Sequence, residues 1–428
     1  MKKKLVLITA NFPYGTSETF LETELPILAQ NFENIEIFTF STKGQERQIP
    51  TNCSVTNITF NTSRFKAYLG VFSILFWKEI FIIKSTYKKE ISLGILKTIL
   101  ISLMRAKKIA NFLNNTITDK KGTIYYSYWC DDSALALALL NYRDEQPFKT
   151  VSRSHGWDVY FEVSDYNYLP FRHFIHSNLS QIFTISEKGK KYIEETWKVK
   201  GKITVSKLGV KPPPIENLLE KSRISEGKEE GQFHPSNTSI QEGNNKDVFT
   251  LISCSNLIPL KRVHLIIEAL SLLQSEKIHW VHFGDGPEEK KLKELAHKNL
   301  SGNISYEFKG RVKNIEVLCF YNSIKPQLFI NVSSSEGIPV SIMEAMSFGI
   351  PCIATNVGGN SEIVNQKNGV LISKDAPIND VKDAILKIVD SSIENQLLFK
   401  KEAYATWENN YNSETNYKNF IKSIKNLT

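Results

Sequence analysis

The stretch from Gln327 to Val364 limits the possible fold more than any other part of this 428-residue chain. It begins with an apolar strand at Leu328 to Val332, continues through a serine-rich loop into a helix that Pro339 opens, and ends in a second apolar strand. Strand, loop, helix and strand in this order are typical of a doubly wound parallel sheet, which binds ligands at the carboxyl ends of its strands. The sequence therefore predicts an α/β protein with a ligand site in this loop.

The loop carries residues suited to a phosphate-containing ligand. Gly337 lets a ligand approach the backbone closely, and the N–H groups around Pro339 lie at the positive end of a helix dipole. Glu336 precedes the helix, and Glu344 lies about one and a half turns inside it. Two carboxylates beside an anion site suit a ligand with hydroxyl groups on both sides of its phosphates, such as a nucleotide sugar. The alternative is that both are solvated glutamates of an amphipathic helix.

The order of these residues resembles the donor-site signature of the retaining glycosyltransferases of family 4. The signature is Glu, seven residues and Glu, with Gly-x-Pro after the first and Glu-Ala-Met, then Gly-x-Pro, after the second. The resemblance implies the GT-B architecture, in which two doubly wound, Rossmann-like parallel-sheet domains face a central cleft. It also implies that Glu336 binds hydroxyls of the transferred sugar, that Glu344 binds the ribose, and that Gly337, Ile338 and Pro339 contact the donor.

The length of the chain and its composition predict two domains. A chain of 48.8 kDa is long for one domain and sufficient for two. Residues 216–246 are polar and lack apolar periodicity, which predicts a linker or an insertion. We expect an amino-terminal acceptor-binding domain at 1–215 and a carboxyl-terminal nucleotide-sugar-binding domain at 247–410. Residues 411–428 are expected to form a helix that crosses back to the first domain.

Several function classes are disfavoured by what the sequence lacks. Five cysteines without a C-x-x-C motif indicate neither a disulfide framework nor a zinc site, which fits a reducing cytoplasm. No G-x-G-x-x-G motif is present, which argues against a dinucleotide oxidoreductase. The opening MKKKLVLITANFP has too short an apolar run for a signal peptide and predicts a buried strand instead.

Positive charge is concentrated in the amino half of the chain. Residues 1–215 hold 29 Lys and Arg against 19 Asp and Glu, whereas residues 216–428 hold 24 against 26. Within that half, residues 64–110 mix apolar runs with lysines and arginines, which predicts two basic amphipathic helices. Either their apolar faces pack on the sheet while the lysines are solvated, or they present an interfacial face to anionic lipid.

Two elements of the amino half also resemble the family. Gly15 lies in the first strand-to-helix loop, where the family has a glycine-rich loop that contacts acceptor and phosphate. The segment His155-Gly156-Trp157-Asp158 resembles the family's His-Gly element, which implies that His155 reaches toward the sugar and the diphosphate. The alternative for a lone histidine is a structural role. We therefore predict His155 and Glu336 as catalytic residues.

In the carboxyl half, the segment after the apolar strand at 248–252 resembles the family's second phosphate element, an Arg, four residues and a Lys. Lys261 matches the lysine, but Asn256 stands in place of the arginine. We hypothesise that Arg262 restores the charge and holds the diphosphate together with Lys261; the alternative is that Arg262 points into solvent. The segment that ends at Val312 resembles the one whose backbone faces the base.

The resemblance implies a retaining hexosyltransferase that uses a UDP- or GDP-linked sugar and a saccharide acceptor. Members of this type commonly extend polyprenyl-linked oligosaccharides for bacterial surface polysaccharides, which places the protein in the cytoplasm, at the inner face of the membrane. We expect no cofactor and no nucleic acid. We also expect no metal, because Lys261, the helix amino terminus and, under the hypothesis above, Arg262 supply the positive charge that a Mg²⁺ ion would otherwise provide.

Two other function classes remain open. A glycoside hydrolase could use Glu336 and Glu344 as acid and nucleophile. A non-catalytic nucleotide-sugar-binding protein, or an epimerase on the same fold, would bind the donor without transferring its sugar to an acceptor.

Overall fold

The structure is a computed structural model that describes residues 3–59, 67–117, 119, 121–143, 148–211, 248–300 and 302–427. The chain divides into two compact units, one formed by residues 1–208 with 413–428 and the other by residues 209–412. The predicted linker at 216–246 lies outside the described residues.

The amino-terminal unit is built on a seven-stranded parallel sheet with the strand order β3-β2-β1-β4-β5-β6-β7. The order reverses between β1 and β4, which makes the loops after these two strands the switch point of the sheet. The strands are β1 (Lys4–Thr9), β2 (Ile35–Thr39), β3 (Cys53–Asn57), β4 (Thr123–Ser127), β5 (Lys149–Ser154), β6 (Gln181–Thr184) and β7 (Ile203–Val205). The helices are α1 (Leu21–Asn31), α2 (Ile74–Ser85), α3 (Leu93–Thr116), α4 (Asp132–Arg143), α5 (Arg172–Asn178) and α6 (Glu187–Thr196).

The carboxyl-terminal unit has a six-stranded parallel sheet with the order β10-β9-β8-β11-β12-β13, which reverses between β8 and β11. Its strands are β8 (Phe249–Cys254), β9 (Ile278–Phe283), β10 (Ile304–Phe308), β11 (Leu328–Asn331), β12 (Cys352–Thr355) and β13 (Gly369–Ile372). Its helices are α7 (His264–Ser271), α8 (Glu289–Asn299), α9 (Asn314–Ile324), α10 (Val340–Ser347), α11 (Asn360–Ile363), α12 (Ile378–Val389) and α13 (Ile393–Asn410). The prediction of two doubly wound parallel sheets is confirmed.

Both sheets are covered on both faces, which explains why their central strands are continuous apolar runs. In the amino-terminal unit, β1 is buried from Leu5 to Thr9. One face of that sheet packs against α3, and the other packs against α1 and the last helix, α14 (Ser413–Lys425). Phe420 of α14 lies on the ring of Tyr126 at a centroid distance of 5.1 Å. The final helix is thus part of the amino-terminal unit's core.

The two helices predicted within residues 64–110 differ in how they are packed. α3 buries a regular apolar stripe that includes Ile99, Leu103 and Ile109. α2 buries one side of its surface and leaves large apolar residues exposed on the other, among them Trp77 and Phe81. Packing on the sheet therefore accounts for α3 but not for the exposed side of α2. Among the described helices, none has an apolar stretch long enough to cross a bilayer.

Candidate functional site

The switch point of the carboxyl-terminal sheet brings together two residues that the sequence predicts for donor binding. Lys261 ends a 3₁₀ turn (Pro259–Lys261) in the loop after β8, and Glu336 lies in the loop after β11. Lys261 Nζ donates a hydrogen bond to Glu336 Oε1 over 2.6 Å, and Asn331 Nδ2 donates to the same oxygen over 3.0 Å. The Glu336 side chain is only 10% exposed. A cation and an amide therefore hold this carboxylate in place.

The loop that carries Glu336 is fixed by the Gly358-Gly359 turn after β12. The Gly359 N–H group donates to the Gly337 carbonyl over 2.7 Å. A Cβ atom on Gly358 would lie 1.8 Å from the Glu336 carbonyl oxygen, and Gly358 has a φ of +52°. Only glycine permits this approach of the two backbones. Gly337 is different, because it is exposed and a Cβ atom added there would meet nothing within 4 Å.

The amino terminus of α10 follows directly. Pro339 is its N-cap residue, and no side chain caps the helix. The first N–H groups of a helix have no partner inside the helix, and they lie at the positive end of its dipole. The loop of Gly337, Ile338 and Pro339 therefore leads into a helix end suited to an anion. α10 ends at Ser347.

Glu344 lies on the inner side of α10 and is 9% exposed. Burial raises the pKa of Glu344 to about 7, and a hydrogen bond from Asn314 Nδ2 to its Oε1, 2.8 Å long, partly opposes that shift. Asn314 begins α9, two residues after Val312, which packs against the apolar core of this unit. The structure thus places Glu344 beside the segment predicted to face the base. Sequence reasoning missed Asn314, although its place just after Val312 was a usable signal.

The structure gives Arg262 other partners than the diphosphate that the sequence hypothesis assigns to it. Arg262 has a φ of +50°, and its guanidinium donates to the carbonyl oxygens of Val332, Ser333 and Lys374 over 2.8 to 3.2 Å. It therefore points neither at the helix end nor into solvent, because it binds three main-chain acceptors that the fold brings within its reach. Asn256, at the position of the family's arginine, is exposed. Lys261 is the predicted cation that the structure places at Glu336.

In the amino-terminal unit, the predicted contact residue Gly15 is hydrogen-bonded within the protein. Its N–H group donates to the Gln45 carbonyl over 3.0 Å. The N–H groups of residues 10–12, in the same loop, all donate to the carboxylate of Glu18, which also accepts from Trp129 Nε1 over 2.7 Å. The carboxylate of Glu18 therefore takes the three N–H donors of this loop that an anionic ligand could otherwise bind. Sequence reasoning missed Glu18.

His155 lies directly after β5, as predicted, and is packed between the rings of Tyr128 and Trp129 at centroid distances of 4.5 Å. Asp158 holds its backbone, since one carboxylate oxygen accepts from the N–H groups of His155 and Gly156 over 2.8 and 2.9 Å. His155 Nδ1 is 3.9 Å from the other oxygen, which is too far for a hydrogen bond.

Both ring nitrogens of His155 are buried and have no hydrogen-bond partner among the described residues. Such groups are rare in folded proteins, so a ligand atom is a natural partner. Burial alone would raise the pKa of Asp158, but hydrogen bonds and the nearby His155 hold it below its usual value.

Within the part of the chain that the structure describes, no group of three or more His, Cys, Asp or Glu side chains could hold a metal ion. The expectation that the reaction needs no metal stays a prediction.

The fold is shared with solved structures, among them that of a galactosyltransferase. The lipopolysaccharide outer core galactosyltransferase WaaB matches 98% of this chain and 99% of its own, with a TM-score of 0.62 and 17% identity. The Anabaena protein Alr3699/HepE, solved in complex with UDP, matches 99% of this chain and 100% of its own, with a TM-score of 0.62 and 15% identity. The chain thus has the GT-B fold.

Sequence comparisons also relate the carboxyl-terminal unit to glycosyltransferases. Residues 236–406 match the family model described as "Glycosyl transferases group 1", which is less than half of the chain. The Escherichia coli O-antigen biosynthesis glycosyltransferase WbnH is 27% identical over 230 residues, which cover 53% of this chain and 56% of that protein.

A Streptococcus parasanguinis protein, the GtfA subunit of a UDP-N-acetylglucosamine–peptide N-acetylglucosaminyltransferase, is 30% identical over 174 residues. That alignment covers 40% of this chain and 33% of the relative. The chain thus spans between a third and just over half of the length of these two relatives.

Proposed function

We propose that this protein is a retaining glycosyltransferase of the family 4 type, which transfers a hexose from a UDP- or GDP-linked donor to a saccharide acceptor. The observation that carries the proposal is the pairing of Lys261 with Glu336 at the switch point of the carboxyl-terminal sheet, directly before the uncapped end of α10. These groups complement a nucleoside diphosphate sugar, because a cation and an anion-binding helix end can bind its phosphates and a carboxylate can accept hydrogen bonds from its sugar hydroxyls.

The donor's diphosphate binds the helix end and Lys261. A lysine ammonium has three N–H donors, so Lys261 keeps its bond to Glu336 while it reaches phosphate oxygens. Glu336 accepts hydrogen bonds from sugar hydroxyls, and Glu344 accepts from the ribose. Because burial raises the pKa of Glu344 to about 7, this contact is strongest in the ionised form above that pH.

In the proposed reaction, the bond between the sugar's anomeric carbon and the diphosphate oxygen breaks, and a bond to the acceptor oxygen forms on the same face. The acceptor hydroxyl's proton passes to the leaving diphosphate, so no dedicated side-chain base is needed. Negative charge grows on the diphosphate, where Lys261 and the α10 dipole stabilise it. Glu336 stabilises the positive charge that develops on the sugar.

The acceptor binds the amino-terminal unit, where the unpartnered ring nitrogens of His155 provide a contact for a ligand atom. A lipid-linked oligosaccharide is the proposed acceptor. Support comes from the positive charge of residues 1–215 and from a relative whose name assigns it to O-antigen biosynthesis. Such an acceptor places the protein at the inner face of the cytoplasmic membrane.

The test is transfer from a panel of UDP- and GDP-sugars, with proton NMR of the product's anomeric coupling. We expect release of the nucleoside diphosphate with one donor class and retention of the anomeric configuration. Glu336→Gln should lower that release, whereas Glu408→Gln, at an exposed carboxylate on α13, should leave it unchanged. Inversion at the anomeric carbon, or hydrolysis of glycosides without any nucleotide, would contradict the proposal.

A further inference from the structure

The segment from Leu69 to Phe81 exposes an unusual amount of apolar surface. Phe72 is 87% exposed, and on α2 the side chains of Ile74, Trp77 and Phe81 are 71, 58 and 68% exposed. Their spacing places these three on one side of the helix. We call Leu69, Phe72, Ile74, Trp77 and Phe81 the α2 face. Soluble monomers rarely leave so many large apolar side chains together in water, and such patches mark interaction surfaces.

The helix that carries this face is firmly anchored. Its opposite side buries Leu75, Phe76 and Ile83 in the core of the amino-terminal unit. Glu79, the single acidic residue of α2, is fully buried and accepts hydrogen bonds from the Tyr168 hydroxyl and the Phe171 N–H group. The α2 face is therefore a fixed part of the fold.

A groove of about 710 Å³ runs beside the α2 face, between α2 and α5. Its size lies within the range of sites for small molecules. Its apolar lining includes Leu75, Ile82 and Phe174. Ile74, Trp77 and Phe81 belong to both the groove and the α2 face, so the groove opens onto that face.

The exposed charges of α2 are positive. Lys78 and Lys84 are exposed on the same side of the helix as Trp77 and Phe81, while the only acid is buried. Lys78 Nζ lies 3.4 Å from the Tyr142 hydroxyl at the edge of the groove. Apolar chains below negatively charged head groups complement this arrangement, and tryptophan is common at membrane interfaces.

We propose that the α2 face docks on an anionic lipid surface and that the groove between α2 and α5 binds one hydrocarbon chain of a lipid from that surface. The lysines contact the head groups, and the aromatic residues insert among the chains. This inference goes beyond the transferase reaction and stands without it. If the acceptor is lipid-linked, the same groove of the amino-terminal unit holds the hydrocarbon chain of the acceptor's lipid carrier.

The docking step is tested with the full-length protein and two kinds of vesicle, phosphatidylcholine alone and phosphatidylcholine with about 30% phosphatidylglycerol. We expect cosedimentation with the anionic vesicles only, and release by about 1 M salt. Phe72→Glu/Phe81→Glu should lower the partition coefficient at least tenfold, and each of Lys78→Gln and Lys84→Gln about fivefold.

The matched control is Leu397→Glu, because Leu397 is 61% exposed on α13 of the other unit and should have no effect. Equal recovery in the supernatant with both vesicle types would overturn the proposal. So would a dimer in light scattering that Phe81→Glu dissociates, since the α2 face would then be an interface between copies.

The groove is tested with vesicles whose phosphatidylglycerol carries brominated chains and with farnesyl monophosphate, a single isoprenoid chain with an anionic head. Trp77 fluorescence should be quenched by the brominated chains, and Trp77→Phe should remove that quenching. Farnesyl monophosphate should bind with one saturable site. Ser177→Phe, at an exposed groove residue, should abolish that site while vesicle binding persists.

Unchanged farnesyl monophosphate binding in Ser177→Phe would overturn the groove assignment. Hydrolysis of the nucleotide sugar in the absence of acceptor should be the same in all these variants. A failure of the lipid proposal is thereby distinguished from a failure of the proposed donor reaction.

Discussion

Replacing Gly337 by alanine should lower donor affinity without changing the stability of the protein, a distinction that is clearer here than for substitutions of charged residues. A methyl group at Gly337 would meet no protein atom within 4 Å, and the backbone there does not have a positive φ. The free energy of unfolding should therefore change by no more than about 0.5 kcal/mol, as at ordinary surface positions. If the donor packs directly on this loop, the same methyl group occupies space that the ligand needs.

The expected loss of donor affinity follows from steric crowding. Forcing an extra methyl group into a well-packed contact costs about 1 to 3 kcal/mol, which corresponds to roughly 5- to 150-fold in the dissociation constant. Calorimetric titration of the donor, alongside urea denaturation of the same sample, measures both quantities.

Gly358→Ala is the matched control, because there the Cβ atom would lie 1.8 Å from the Glu336 carbonyl oxygen. That variant should lose stability as well as binding. Wild-type donor affinity in Gly337→Ala would refute the view that the ligand approaches the backbone at this loop.

Three further predictions concern side chains that carry or can lose a charge. Glu336→Gln should mainly lower kcat, because Glu336 stabilises the positive charge that develops on the sugar in the transition state. Glu344→Gln should mainly weaken donor binding. Equal and mild effects of the two substitutions in steady-state kinetics would count against these roles. Arg262→Ala should destabilise the carboxyl-terminal unit by about 1 to 3 kcal/mol in urea denaturation, because three carbonyl oxygens lose their donor, whereas Lys261→Ala should lower kcat/KM with a smaller loss of stability. Burial raises the pKa of Glu79 from 4.5 to about 7. Between these two pH values the native state keeps a proton that the unfolded state has released. The free energy of unfolding therefore falls as the pH rises, by about 3 kcal/mol in total. Urea denaturation at pH 5 and pH 8 should show that Glu79→Gln lacks this part of the loss, and an unchanged pH dependence would be inconsistent with a protonated Glu79.

Much of the fold could be predicted because its determinants are local. Buried parallel strands are recognisable as apolar runs, and the predicted strand at Leu328 to Val332 includes the whole of β11, Leu328–Asn331. Pro339 directly precedes the first residue of α10, in agreement with the helix start that the sequence predicts. Parallel sheets gather their carboxyl-end loops at one edge, so the loops of Lys261 and Glu336 could be expected to meet, but the direct bond between the two side chains was not predicted.

What could not be predicted depends on contacts between distant segments. The carboxylate of Glu18 meets Trp129 across 111 residues, and Arg262 binds a carbonyl 112 residues away. Both side chains satisfy backbone or indole groups, and nothing in their local sequence distinguishes them from ligand-binding residues. Periodicity likewise marked α2 and α3 as amphipathic without showing that α2 would keep Trp77 and Phe81 in water.

The most direct test of the central claim is calorimetric titration of the wild-type protein and of Lys261→Met with a panel of UDP- and GDP-sugars. If the switch point of the carboxyl-terminal sheet is the donor site, one donor class should bind with one site per chain. Lys261→Met should then weaken it about 10- to 150-fold, because a charged hydrogen-bond partner of the diphosphate is lost. Binding of equal strength in the variant, or no binding of any such donor at millimolar concentration, would contradict the account.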